Sequence, residues 1–116
     1  MAVRLMIRIA ETDATFVRQG ADWVGKCLIC RGPLRFDAVS GNGANVEHIV
    51  PRSLGGTSDL RNLGIAHVSC NNEKGRHWDG GRRRQTDPER YLALVERLRR
   101  ERVRRWREPA AVIVAH

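Results

Sequence analysis

Cys27, Cys30, His67 and Cys70 have the residue types and spacing of a tetrahedral zinc site: C-x2-C and H-x2-C, separated by 36 residues. Zinc takes four thiolate or imidazole ligands, and pairs two residues apart on tight turns reach that geometry without strain. A full set of four leaves no open coordination position, so this metal is expected to be structural. Glu47, His48 and Asn62 lie between the pairs, and Asn71 follows the second pair directly. A zinc that joins the pairs therefore draws a carboxylate, an imidazole and two amides toward one place.

The order Glu47-His48-Ile49-Val50-Pro51, Gly55-Gly56, Asn62-Leu63 and Cys70-Asn71 with Lys74 resembles the HNH nuclease family, also called ββα-metal nucleases. The likeness spans residues 27–76 and extends to spacing, with 14 positions from His48 to Asn62 and five from Asn62 to His67. It implies an α+β fold with a small zinc-stapled ββα-metal core, and the activity of a metal-dependent DNA endonuclease. It also implies that Asn62 pins the loop and orients His48. The last family position, often His, is Asn71 here, as in the H-N-N variant, where Asn offers a neutral oxygen opposite the acid. That suits Mg2+ or Mn2+ better than a transition metal. His67 stands where a Cys is usual.

The same roles follow from the chemistry. Phosphodiester hydrolysis needs a base for water, a cation against the developing charge, and a means of stabilising the leaving oxygen. His48 titrates near neutrality and can take the proton, while Glu47 is an oxygen ligand for a hard cation. Successive strand residues point to opposite faces, so these two share a site only where the strand ends or bends. Asn72 and His77 compete with Asn71 for the last ligand position. Arg52, Lys74 and Arg76 are candidate phosphate clamps. The retained base and hard-metal ligands favour an enzyme over the alternative, a non-catalytic zinc-ribbon DNA-binding module or an adaptor of a larger DNA-processing machine.

The net charge of +8 and the pI near 10.9 mark a nucleic-acid binder, since neutralising phosphates releases condensed counterions. Eleven of the 21 basic residues and only five of the 13 acidic ones follow residue 80, so the excess sits in the last third. The three cysteines all fall in the proposed metal site, and an odd number does not suit a disulfide framework. No apolar run approaches the roughly 20 residues that span a bilayer, which points to a cytoplasmic protein without membrane contact. Expected partners are DNA and a larger phage or bacterial DNA-processing protein, with the chain a monomer or homodimer.

The elements that must position these residues read as an N-terminal extension (1–26), the ββα-metal core (27–80) and a basic C-terminal helix and tail (81–116). Residues 3–10 fit a strand or first helical turns. A hairpin is expected between residues 36–39 and 44–49 across the Gly41-Asn42-Gly43 turn, whose glycines take positive φ readily. An irregular loop at 51–61 and an extended piece at 63–66 follow. A helix starts near 68–71 and is expected to stop soon, at Gly75 or Gly80-Gly81. The last helix spans about 88–107, with Thr86 and Glu89 as a capping box and Pro88 in the first turn. Its apolar stripe is Tyr91, Leu92, Leu94, Val95, Leu98, Val103 and Trp106. Arg90, Arg97, Arg100, Arg104 and Arg107 face away from the stripe, whereas Arg99, Arg102 and Arg105 intrude on it. The second half is thus basic nearly all round and is expected to project toward phosphates, with Arg97, Arg100 and Arg104 as DNA contacts. Residues 110–115 are apolar, a strand or a frayed end.

Overall fold

The computed structural model describes residues 2–83 and 88–109. Its first element is a helix, α1 (Ala2–Glu11), which settles the choice between strand and helix. Met6, Ile9 and Ala10 share one face at helical spacing and are buried. Strands β1 (Val17–Gln19), β2 (Asp22–Lys26) and β3 (Pro33–Asp37) form one antiparallel sheet in that order. Strands β4 (Asn45–His48) and β5 (Leu63–Ala66) form a second, and α2 (Val68–Arg83) leaves β5 almost directly. Helix α3 (Pro88–Arg105) follows. Among the described residues, no helix is long and apolar enough to cross a membrane.

The expected hairpin between 36–39 and 44–49 does not form. Phe36 pairs with Trp23 of β2, and β4 pairs instead with β5, placing Glu47 opposite Gly64 and His48 opposite Leu63. Gly41 and Gly43 do adopt positive φ, but their turn carries the chain from one sheet to the other. Turn chemistry is local, whereas strand partners are chosen by which buried faces match. Leu34 and Phe36 alternate inward on β3 and join Trp23 and Phe16 in the main core, which continues through α1 and β5.

The loop before β5 is irregular, as its breakers require, with single 3-10 turns at Arg52–Leu54 and Leu60–Asn62. Helix α2 begins where expected but runs through Gly75 to Arg83. Gly75, Gly80 and Gly81 all fall inside it; each costs only about 1 kcal/mol relative to Ala, too little singly to end a helix.

Helix α3 overturns a second expectation. Tyr91 and Leu98 are buried, and Leu98 packs with Leu28 and Ile49 in a smaller core, but Leu92 and Val103 are 57% exposed. Arg102 and Arg105 take the inward positions instead. The basic half therefore packs on the body rather than projecting from it. Arg102 donates to the carbonyls of Thr12, Leu60 and Leu63 and to the Thr12 hydroxyl. Arg105 pairs with Glu101 at 2.7 Å and Asp13 at 3.4 Å. Arg107 donates to the carbonyls of Ala10, Glu11 and Phe16. Several of these acceptors are the orphan carbonyls that any helix leaves at its C-terminus, here that of α1. Thr86 of the expected capping box and the apolar stretch 110–115 lie outside the described residues.

Candidate active site and metal centre

Cys27 and Cys30 stand on the turn between β2 and β3, and His67 and Cys70 at the junction of β5 with α2. Their ligand atoms all lie within 4.8 Å of one another. His67 Nδ1 is 3.4 Å from Cys30 Sγ and 3.7 Å from Cys70 Sγ. The other ring nitrogen, Nε2, lies 2.9 Å from the Pro33 carbonyl. That contact fixes the proton on Nε2 and leaves Nδ1 for a metal, the usual support for a ligating histidine. The Cys27 sulfur accepts from the backbone N–H groups of Cys30 and His67, and the Cys30 sulfur from Gly32 N–H.

These surroundings split the thiols. The Gly32 N–H holds Cys30 down to about 7, with further help from hydrogen bonds of neighbouring groups. Burial, reinforced by the charge of Cys27, pushes Cys70 up to about 12. Crowded sulfurs resist becoming thiolates together unless a cation lies among them. The cluster fits zinc in donor type, number and spacing. Arg31, inside the turn, adopts φ 64, a left-handed conformation that few non-glycine residues take.

The second group of residues meets in an open cleft of about 280 Å³, lined among others by Glu47, His48, Arg52, Asn71, Lys74 and Tyr91. His48 is the last residue of β4, so the strand ends where the two neighbours must reach one site. Glu47 is buried, and Lys74 Nζ lies 2.7 Å from its Oε2. That oxygen receives no well-aligned hydrogen bond. Lys74, itself 5% exposed, donates to the His48 carbonyl at 3.0 Å. Burial raises the Glu47 carboxyl above its ordinary value, against the pull of Lys74. Burial lowers the His48 imidazole, and the charges of Arg52 and Lys74 lower it further. His48 is therefore neutral at pH 7.

Asn62 lies behind the cleft. Its Oδ1 accepts from Val50 N–H at 2.9 Å, and its Nδ2 donates to the carbonyls of Val50 at 3.1 Å and Thr57 at 2.8 Å. This cross-links both limbs of the loop that follows His48. The two glycines of that loop serve different needs. Gly55 takes φ +88, while a Cβ on Gly56 would collide with the Val50 carbonyl oxygen.

Asn71 Nδ2 donates to the Val46 carbonyl at 3.4 Å, so Oδ1 is the atom it could offer a cation. Asn72 is exposed and does not line the cleft. The side chain of His77 lies outside the described residues. Of the remaining basic candidates, Arg52 borders the cleft and the others stand apart from it. Arg76 pairs with Glu73 at 2.7 Å, Arg97 donates to the Ile29 carbonyl, and Arg104 pairs with Glu101. Arg100 Nε is 3.9 Å from Glu96.

Two residues here escape a reading of the sequence. Ser58 Oγ is 3.4 Å from both His48 Nε2 and an Arg52 guanidinium nitrogen, yet a serine amid loop breakers gives no signal. Tyr91 belongs to the apolar stripe of α3 by spacing, and only the fold brings its ring beside Lys74.

The HNH endonuclease family model matches residues 27–77. Residues 27–77 are thus similar to the HNH endonuclease domain. The match runs from the first zinc-ligand pair through β4 and β5 into α2, while α1 and α3 lie outside it. The comparison with curated proteins returns no match, and neither does the comparison with solved structures.

Proposed function

We propose that this protein is a metal-dependent DNA endonuclease that nicks double-stranded DNA, with His48 as general base and zinc as a structural clasp. The observation that carries this reading is the convergence of Glu47, His48, Asn71, Arg52 and Lys74 on one cleft inside an HNH domain. The donor set fits a hard cation: a buried carboxylate oxygen without an aligned hydrogen bond, and an amide oxygen across the cleft. A Mg2+ or Mn2+ held by Glu47 and Asn71 would supply Lewis-acid stabilisation of charge developing on the phosphodiester.

The remaining chemistry falls to the chain itself. With Nε2–H turned toward the Ser58 hydroxyl, His48 has Nδ1 available to accept a proton from the attacking water. Asn62 keeps the loop closed behind that ring. Arg52, at the cleft border and exposed, adds positive charge where the phosphate would enter. The charge of +8 supports DNA as the substrate through counterion release.

The test is conversion of supercoiled plasmid to open circles by zinc-loaded protein with Mg2+ or Mn2+. Wild type should nick, and His48→Ala should lose about 10²-fold or more, the usual contribution of a general base. Metal-dependent nicking that survives the substitution removes His48 from the mechanism. No nicking by folded wild type favours the non-catalytic binding module.

A further inference from the structure

We propose that the Lys74 ammonium is the resident counter-cation of the cleft, and that a divalent cation reaches Glu47 only by displacing it. The inference rests on the reading of Glu47 as a metal ligand. Lys74 is not a surface lysine. It is 5% exposed, and its ammonium lies 2.7 Å from Glu47 Oε2 while donating to the His48 carbonyl. The oxygen facing this ammonium has no aligned hydrogen bond. The contact is thus mainly one of charge, and a stronger charge can replace it.

Exchange rather than sharing follows from the surroundings. Glu47 is the one carboxylate among the described residues lining the cleft, and Arg52 adds further positive charge. An ammonium and a divalent cation on the same oxygen would sit only a few ångströms apart where burial has removed screening water. The fold also offers the ammonium somewhere to go. The Tyr91 ring lies 5.5 Å from Nζ, within reach of a cation–π contact. That ring comes from α3, beyond the matched HNH segment.

Mn2+ binding to the zinc-loaded full chain, followed by electron paramagnetic resonance and by thermal melting, tests the exchange. Lys74→Met should bind Mn2+ at least about tenfold more tightly than wild type, equivalent to ~1.4 kcal/mol. Lys74→Arg, which keeps the charge, should stay near wild type. Lys74→Met should also melt lower without Mn2+ and recover with it, by a larger shift than wild type shows. Unchanged or weaker Mn2+ affinity in Lys74→Met overturns the proposal, as does failure of Mn2+ to restore a folded variant. Undiminished Mn2+ binding by Glu47→Gln is a separate outcome, overturning the assignment of Glu47 itself and the exchange with it.

Discussion

His48 stands between two cations and beneath enough protein to lose part of its water, and each influence favours the neutral ring. A base that must accept a proton is useful only in that form. The proposed nicking should therefore be retained at and above pH 7 and lost as pH falls through the His48 value, which lies below 6.5. In a pH–rate profile at saturating metal, the acid limb should fall below pH 6.5, and Arg52→Ala should move it upward by removing one positive neighbour. An acid limb above pH 7 in wild type would contradict the environment described for the ring. Glu47, His48, Asn62 and Asn71 could be picked out as candidates by type and spacing, and the fold brings Glu47, His48 and Asn71 to one cleft with Asn62 in the loop behind it. Ser58 and the Lys74–Glu47 contact could not be picked out, since they depend on loop closure and on the way α2 crosses β4.

At the scale of elements, α3 followed from local signals, whereas the nature of α1, the length of α2 and the strand partners did not. Pro88 and Pro109 bracket α3 closely, whereas β3 and β4 lie beside an attractive turn yet belong to different sheets. The arginines of α3 show the same limit. Arg102 looks like a misplaced charge until Thr12, 90 residues earlier, is brought against it. Burial draws its guanidinium down to about 10, so it stays charged at pH 7 and needs all four of its acceptors. Arg102→Met should remove about 3–5 kcal/mol of stability in urea unfolding, as breaking a buried charged network does. Arg104→Ala, which loses an ion pair whose arginine is 69% exposed, should change stability by no more than about 1 kcal/mol. Equal losses at the two positions would mean that α3 does not pack through Arg102.

At the scale of the molecule, one four-donor cluster ties the first sheet to the second sheet and to α2. The turn after β2 supplies two donors and the start of α2 the others. The backbone adds a bond from Leu28 N–H to the Ile65 carbonyl at 2.9 Å, but all three cysteines are free and no disulfide supports the junction. Domains of this size are stable by about 5–15 kcal/mol, and a structural zinc can contribute about 10–16 kcal/mol of apparent binding free energy at neutral pH. The two ranges overlap, so a zinc bound at this cluster would account for much of the net stability. Removing it also leaves the half-buried Cys70 thiol crowded by its neighbours, with nothing to favour the thiolate. Chelation at pH 7 should therefore release about one zinc per chain together with loss of the cooperative melting transition seen by circular dichroism. Zn2+ should restore that transition and Mg2+ should not, which separates the metal that holds the fold from the one assigned to the cleft. Cys70→Ser should behave like the chelated protein. A zinc-free chain that still melts at the wild-type temperature would show that the two cores and the buried arginines suffice alone.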